Sequence, residues 1–436
     1  MRRKSFLLLV VALLVRPELS RADTTMTLKE VLNMSLTNSA SLAIGKEKIL
    51  EKDSQKLERL AAFIPRLSVN LFERDATTNL KAQGISFPGF PSKVGPFSTF
   101  DGRLSFNEML LNYSQWKQVH AADEETGAAR LDLSQTESDL LYQTTLLFLN
   151  TKKAESSLLA DQANVNLSDE LLKFAEHQKE NGVATLIEVT RASVKLAEDK
   201  QRLVTETTRK NDAYLSLQKQ IGAAQGEPLL LDDRYLTSFD LPDLQESIKI
   251  ALSRRKDLAA QNQREKIREI QENAAHDEQL PSLNVFADYG ESGNDLGDSF
   301  PTQTIGISLT WPIYDGNLRK SHIGTAQSAR REEQFRSKDL TQQVELDVRQ
   351  VFNDIVSVKK ELELAEERLA LAEKELKLAQ DRFESGVGTH IELVRSQTSL
   401  TEARETEIEA RFELQAGLLR YFYVSGQMDE FLNRLP

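Results

Sequence analysis

The chain has 436 residues, of which 67 are acidic and 55 basic, so its net charge is −12, and it contains no cysteine. The acidic balance disfavours nucleic acid and anionic lipid as partners, because the chain would be repelled by their phosphate groups. The absence of cysteine excludes disulfide bonds, so packing alone must hold the fold together.

Residues 1–22 have the pattern of a secretory signal peptide. Three basic residues at 2–4 precede an apolar run at 6–15, and Ser20 and Ala22 occupy the −3 and −1 positions of a cleavage site. Cleavage there leaves 414 residues with a net charge of −16 outside the cytoplasm. No later apolar run approaches the ~18 residues of a membrane-spanning helix, so we expect any entry into a membrane to use strands.

The rest of the sequence contains one unit twice. ENGVATLIEVTRA (180–192) and ESGVGTHIELVRS (384–396) are identical at seven of thirteen positions, 204 residues apart. Earlier in each half, TLKEVLNMSLTNSASLA (27–43) resembles DLQESIKIALSRRKDLA (243–259) at an offset of 216, so twelve residues were gained or lost in between. We predict a signal peptide over 1–22, a first repeat over 23–222, a linker over 223–242, a second repeat over 243–426 and a C-terminal tail over 427–436.

Each half begins with a predicted helical segment, 28–63 or 244–279, that ends before a proline. Alternation of apolar and polar residues then predicts two strands per half, each about 8–11 residues long. Eleven of the twelve extra residues fall between Pro65 and Phe106, which predicts a longer exposed loop around 79–98. The predicted strands are centred on 67–71, 102–107, 283–289 and 304–311.

The longest predicted elements are two helices of about 70 residues. The sequence has one glycine and no proline over 110–181, and neither over 325–385. Leu364, Leu371 and Leu378 form a second apolar stripe on the later helix, which therefore needs neighbours on both sides. A shorter helix follows each long one, over 186–221 and 390–424.

The repeated phrase lies between the long and the short helix of each half, at 181–188 and 385–392. Gly182 and Gly386 suit the left-handed end of the long helix, and a threonine followed by a glutamate three residues later suits a capping box for the short helix. The capping residues are Thr185 with Glu188, and Thr389 with Glu392. The phrase therefore predicts the tip of a helical hairpin. We call 181–188 the first tip and 385–392 the second tip.

Apolar residues at the tips, about 100 Å from the strands, indicate a docking surface. The predicted docking residues are Gly182, Val183, Thr185, Ile187, Gly386, Val387, Thr389 and Ile391.

Four strands cannot close a barrel, and an open sheet edge cannot exist in lipid. Two copies of the chain would supply eight strands and three would supply twelve, and both numbers allow closure. The residues alone leave the choice open.

The signal peptide, the tandem repeat, the strands ending in WPIYDG (311–316), the long helices and the tip phrase together resemble the outer-membrane efflux protein family over residues 27–426. The resemblance implies a mainly α fold with a transmembrane β part: a tandem-repeat α-barrel of long hairpins plus four strands per chain in a trimeric, twelve-stranded outer-membrane β-barrel. It also implies a homotrimer surrounded by outer-membrane lipid and extending into the periplasm. That trimer would be the exit duct of a tripartite efflux or type I secretion system, with a periplasmic adaptor and an inner-membrane pump as partners.

The family keeps an acidic residue just inside each tip, and the matching positions here hold Glu188 and Glu392. Where the family has a further acidic residue, this chain has Arg395, so we expect Arg395 to compensate the charge of Glu392. The resemblance therefore implies a periplasmic gate formed by Glu188, Arg191, Glu392 and Arg395. The alternative is that these residues form ordinary i,i+3 surface pairs.

Two other classes of protein have long helices, namely periplasmic adaptors and structural coiled-coil proteins of the cell envelope. An adaptor would have one hairpin rather than two, and a coiled coil would lack four alternating strands. An enzyme is not expected, because the five histidines are scattered and no nucleophile or phosphate-loop motif occurs. We expect no cofactor and no metal site. The cargo is open among drugs, metals, proteins and polysaccharide.

Overall fold

The computed structural model describes residues 25–182, 184–224, 226, 229–233 and 241–435. The predicted signal peptide, Val183 and most of the linker lie outside these residues. Within them the chain is mainly helical with four strands, as predicted. The elements are α1 (Leu28–Asn38), α2 (Ala40–Leu60), β1 (Arg66–Asn79), β2 (Lys93–Leu111), α3 (Tyr113–Glu180), α4 (Leu186–Ile221), α5 (Leu244–Arg254), α6 (Lys256–Asp277), β3 (Ser282–Gly293), β4 (Ser299–Thr310), α7 (Leu318–Glu384), α8 (His390–Val424) and α9 (Met428–Arg434).

Each opening helical segment, expected to be continuous, is broken once at the same position of the repeat. Ser39 is extended between α1 and α2, and its side chain accepts a hydrogen bond from the amide of Leu42 at 3.4 Å. Arg255 is extended between α5 and α6, and its guanidinium bonds Asp257 at 2.7 Å and Asp347 at 2.8 Å. Side-chain bonds that compensate the lost helical bonds therefore stabilise both breaks.

Within the predicted C-terminal tail over 427–436, Met428–Arg434 form a helix, which the sequence analysis did not predict. α9 buries Met428 and Phe431 in an apolar cluster that also contains Leu32, Phe148 and Leu217. The helix covers the end of α8, and its burial rather than its seven-residue length holds it in place.

The four strands form one antiparallel sheet in the order β1-β2-β3-β4. The register sets Leu67 opposite Phe106, Phe106 opposite Ala287, and Ala287 opposite Ile305. Directly opposed residues share a face, so the apolar residues of all four strands form one surface, where Ile305 is 82% exposed.

The opposite face of the sheet is polar. Ser105 lies between Ser68 and Asp288 in the register, and its hydroxyl donates to the carboxylate of Asp288 at 3.0 Å. Among the described residues no strand pairs with the outer edge of β1 or of β4. The sheet therefore presents one apolar face, one polar face and two free edges.

The extra residues of the first half lengthen both the strands and the loop. β1 and β2 have 14 and 19 residues, against 12 each in β3 and β4. The loop between β1 and β2 covers 80–92. It is therefore shorter than the predicted loop around 79–98, and residues 93–98 belong to β2.

The two halves enter their long helices differently. β2 runs directly to Asn112, whose side chain accepts the amide of Gln115 at 2.9 Å and caps α3. In the second half the segment 311–316 forms a turn, which Arg319 stabilises by donating to the carbonyl of Pro312 at 2.6 Å.

The helices after the strands form two long hairpins side by side. We call α3 with α4 the first hairpin and α7 with α8 the second hairpin. α3 packs on both α4 and α8, and α8 also packs on α7, so the order across the pair is α4–α3–α8–α7. Consequently α4 and α7 lie at the outer sides of the chain. Within the described residues, no helix combines the length and apolar character needed to cross a bilayer.

Candidate functional site

The first tip is a tight turn fixed by backbone conformation and a capping box. α3 ends at Glu180 and is capped by Asn181, and Gly182 adopts a φ of 73°, where its amide donates to the carbonyl of Lys179 at 2.9 Å. A capping box joins Thr185 to Glu188, with the threonine amide 2.6 Å from the carboxylate. A left-handed glycine followed by a capping box reverses the chain in a few residues, as the sequence predicted.

The second tip repeats this geometry. Gly386 adopts a φ of 75°, and Thr389 and Glu392 exchange bonds of 3.4 and 3.3 Å between amide and side chain. The backbone is tight at Gly388 also, because a Cβ there would lie 2.9 Å from the amide nitrogen of Phe383. The repeated phrase thus specifies the same turn twice.

Apolar side chains are exposed at both tips. Val387 is 70% exposed and Ile187 is 58% exposed, and Ile391 is also exposed. Leu186, which the sequence analysis did not single out, adds a fourth exposed apolar side chain. Val183 lies outside the described residues. The predicted docking residues that are described therefore lie on the surface.

The expected ion pair between Glu392 and Arg395 does not form within the chain. The carboxylate of Glu392 turns back towards the amide of Thr389 and lies 3.8 Å from Nε of Arg382, at the end of α7. Arg395, one turn along α8, makes no ion pair with any described residue of its own chain. The capping box directs the carboxylate away from Arg395, so these two residues do not form an i,i+3 ion pair within the chain.

The structure adds His390, a residue that the sequence analysis did not select. Its side chain is 2% exposed, and no described group bonds its Nδ1. Burial lowers the pKa of His390 below its usual 6.5, Glu188 of the first tip opposes this shift, and Arg191 adds to it. His390 therefore lies where the two tips of the chain approach each other. The signal in the sequence was a histidine at the position where the first tip has Leu186.

Of the four residues predicted to form a gate, the structure thus brings Glu188 and Arg191 near His390, while Glu392 faces α7. Among the described residues, no group of three or more His, Cys, Asp or Glu side chains could hold a metal ion. The candidate site thus consists of the two hairpin tips of the chain, which carry exposed apolar and charged side chains.

Comparison with known proteins identifies the family. The profile of the family described as outer membrane efflux protein matches residues 32–223 and 247–420. The pyoverdine export outer membrane protein OpmQ of Pseudomonas aeruginosa is 22% identical over 408 residues, which are 92% of this chain and 85% of that protein. OpmQ of Pseudomonas putida is 20% identical and covers 92% of this chain and 86% of its own length.

Solved structures share the fold. The outer membrane protein VceC of Vibrio cholerae has a TM-score of 0.80 at 16% identity, covering 92% of this chain and 96% of its own. The open state of the MtrE outer membrane channel of Neisseria gonorrhoeae has a TM-score of 0.76 at 17% identity, covering 92% and 89%. Because the family profile matches most of the sequence, the chain belongs to the outer membrane efflux protein family and is an outer-membrane duct for efflux rather than an enzyme.

Proposed function

We propose that three copies of this chain form the duct, that the hairpin tips dock a periplasmic adaptor, and that the adaptor connects the duct to an inner-membrane pump. The proposal rests on a comparison of the two repeats. A helix surface that is buried in the second repeat is exposed at the equivalent positions of the first.

Within one chain, α3 of the first hairpin packs against α8 of the second. Phe412 and Leu419 of α8 are buried there in the cluster that includes Phe148 of α3. Their repeat counterparts 204 residues earlier are Thr208 and Leu215 of α4, and both are exposed. α4 therefore has a surface at the positions equivalent to the packed surface of α8 that no other described part of the chain covers.

The helix expected to cover this surface of α4 is α7 of another copy, because α7 is the repeat counterpart of α3. Leu167 of α3 packs against the cluster that contains Leu393 and Leu400 of α8. Its counterpart on α7, Leu371, is 61% exposed, and Leu378 on the same stripe is 54% exposed. The repeat thus supports a contact between α7 of one copy and α4 of the next, in the arrangement that α3 and α8 have within a chain.

The number of copies follows from the need for a water-filled passage. Eight strands from two copies would give an interior filled by side chains, whereas twelve strands leave an aqueous lumen. The polar face around Ser105 and Asp288 then lines the lumen, and the apolar face around Ile305 meets lipid. Detergent-extracted protein should therefore have the native mass of a trimer, and a stable monomer would contradict the proposal.

Docking at the tips is tested with charge. Val387→Asp should leave the trimer folded and abolish transport, because it places a carboxylate on an exposed apolar surface that an adaptor would cover. Thr398→Asp, at an exposed position farther along α8, is the matched control and should transport normally. Normal transport by Val387→Asp would exclude docking through this side chain.

For the cargo, we propose pyoverdine or a molecule related to it, because both relatives named above are pyoverdine export outer membrane proteins. A strain lacking the chain should retain such a molecule, and mass spectrometry of the medium should show its return on complementation. Loss of a secreted protein with no change in small molecules would contradict this assignment.

The N-terminal boundary is part of the same proposal. If residues 1–22 are a signal peptide, N-terminal sequencing of protein from the outer membrane should begin at Asp23. A sequence beginning at Met1 would contradict cleavage.

A further inference from the structure

The charged residues of the four strands are divided unequally between the two faces of the sheet. Because side chains alternate along a strand, the register places all three arginines of the strands on the polar face, namely Arg66, Arg74 and Arg103. Of the six acidic residues of the strands, four lie on the apolar face, namely Glu73, Asp75, Glu108 and Glu291. The polar face has only Asp101 and Asp288. Arginine is therefore concentrated on the polar face of a chain whose net charge is −12.

Ion pairs within the sheet neutralise only part of this positive charge. Arg103 bonds the carboxylate of Asp101 through two of its nitrogens. Arg66 and Arg74 are exposed, and neither forms an ion pair with any described residue. Two guanidinium charges of each chain thus have no counterion among the described residues.

Arg74 lies where the first pair of strands extends beyond the second. β3 ends at Gly293, which lies opposite Phe100 of β2, and Phe100 lies opposite Glu73 of β1. Arg74 is therefore the first residue of β1 beyond this level, at the end of the sheet away from the helices. β1 continues to Asn79, roughly 20 Å farther at ~3.3 Å per residue.

Two exposed aromatic rings flank Arg74 on the same face. The guanidinium carbon lies 5.9 Å from the ring centroid of Phe72, which precedes it by two residues. Phe97 lies opposite Ala76, which follows Arg74 by two residues. Phe72 is 49% exposed and Phe97 is 53% exposed. Aromatic residues that anchor a barrel in lipid belong to its outer face, so anchoring does not explain these two rings. We call Phe72, Arg74 and Phe97 the mouth site.

We infer that the mouth site contacts the cargo as it leaves the duct and favours aromatic anions. This inference rests on the proposed assembly of three copies, in which the polar face lines the lumen, and it names a chemical class of cargo. The guanidinium of Arg74 attracts a carboxylate, and the rings of Phe72 and Phe97 pack against a planar apolar group. Three copies of the site around one axis create a positive potential at the outer mouth, which attracts anions and repels cations.

A single cysteine measures this potential, because Thr99 lies directly opposite Arg74 and the native chain has no cysteine. Thr99→Cys is labelled from outside intact cells with two methanethiosulfonate reagents, one with a sulfonate and one with a trimethylammonium group. Adding Arg74→Gln should lower the ratio of the sulfonate rate to the ammonium rate about threefold, since a charge roughly 6 Å away in salt solution acts oppositely on the two reagents. Arg74→Lys retains the charge and should retain the ratio.

Glu73→Gln is the matched control, because it removes a charge from the neighbouring residue on the opposite face. It should not lower the ratio of the two rates. If Arg74→Gln leaves the ratio unchanged, the charge of Arg74 does not act on the lumen and the inference is overturned. A decrease with Arg74→Lys as large as that with Arg74→Gln would also overturn it, because the effect would then not come from the charge.

Protection of the same cysteine tests the aromatic part of the inference. Naphthalene-2-carboxylate should slow the labelling of Thr99→Cys by uncharged N-ethylmaleimide about threefold, at a concentration where acetate and naphthalen-2-ylmethylammonium have no effect. Phe72→Ala and Phe97→Ala should each remove at least half of this protection. Equal protection by acetate, or by the naphthalene cation, would contradict a site for aromatic anions.

The native mass of the detergent-extracted variants separates the two ways in which the inference could fail. If Thr99→Cys is a trimer and Arg74→Gln does not change its labelling, the mouth site is wrong and the proposed assembly is unaffected. If Thr99→Cys and the native protein are both monomers, the proposed assembly is wrong and the mouth site is overturned with it.

Discussion

His390 at the start of α8 packs edge-on against Phe383 at the end of α7, with ring centroids 5.8 Å apart and ring planes at 74°. Phe383 in turn packs against Phe174 of α3, with centroids 5.6 Å apart. The neutral imidazole thus takes part in an aromatic contact that connects the second tip to the first hairpin.

This contact should be sensitive to acid. Burial lowers the pKa of His390 in the folded state below 6.5, its usual value in the unfolded chain. The stabilisation by neutral His390 is therefore fully present above about pH 6.5 and is lost as the pH falls through the lowered folded-state pKa. His390→Leu introduces the residue that the first tip has at the equivalent position, Leu186. Between pH 7.5 and pH 5 its apparent melting temperature should decrease less than that of the native protein.

The control for the acid effect is His177→Leu, which removes an exposed histidine near the first tip. It should show the same decrease in melting temperature as the native protein. Equal decreases for the native protein and His390→Leu would contradict the role given to His390.

Alanine at Gly386 should strain the backbone without any steric clash. Gly386 has a φ of 75°, and no atom lies within 4 Å of an added Cβ. Gly386→Ala should therefore destabilise the turn by about 1 kcal/mol, the usual cost of the left-handed conformation. Gly324→Ala, inside α7 and equally free of neighbours, should instead stabilise the helix by about 0.5–1 kcal/mol. Melting of the two variants at one protein concentration measures both, and the same sign for both would contradict the backbone argument.

The two faces of the sheet should differ in their tolerance of charge. Ile307 lies opposite Val285 on the apolar face, and Ser308 lies opposite Asn284 on the polar face. Ile307→Lys should cost roughly 2–4 kcal/mol in lipid and reduce the amount of folded protein in the outer membrane. Ser308→Lys should leave that amount unchanged and alter the ion selectivity in planar bilayers. An equal loss for both variants would mean that the faces are not divided between lipid and lumen.

The gate residues form a further prediction. We propose that the copies of Glu392 around the axis of the trimer repel one another and that Arg382 in the chain and Arg395 of a neighbouring copy offset this repulsion. Arg382→Ala and Arg395→Glu should each raise single-channel conductance and cell sensitivity to large antibiotics. Adding Glu392→Gln should partly reverse either effect, because the repulsion is removed.

The outcomes for the gate separate the two arginines. If only Arg382→Ala raises the conductance, Arg395 takes no part in closure. If neither does, Glu392 acts only in the capping box, since an exposed ion pair contributes about 0–1 kcal/mol.

Local sequence signals predicted the helices and tips well, because caps and turns depend on nearby residues. α4 and α8 have the predicted bounds, and left-handed glycines and capping boxes occur at both tips. The four predicted strand segments all overlap observed strands, since alternation is a local pattern. The strand ends were not, because β2 continues to Leu111 through residues that the second half places in a turn.

Contacts between distant residues could not be predicted from the sequence. Asp347 bonds Arg255 at the helix break from ninety-two residues away, and the pKa of His390 is affected by Glu188 and Arg191 of the other hairpin. Predicting the ion pair between Glu392 and Arg382 would have required knowing which way the carboxylate of Glu392 points. The capping box sets that direction. The repeat nevertheless contained a signal for His390, because it differs in character from its counterpart Leu186.

The open four-stranded sheet has a consequence for how the protein is made. A newly exported chain carries its exposed apolar face and two free strand edges through the aqueous periplasm, and such edges pair readily with other chains. In the proposed assembly, the lifetime of the lone subunit limits the yield, since aggregation competes with assembly. The stability of the sheet is then a concentration-dependent property of the proposed oligomer and has no fixed value for one chain.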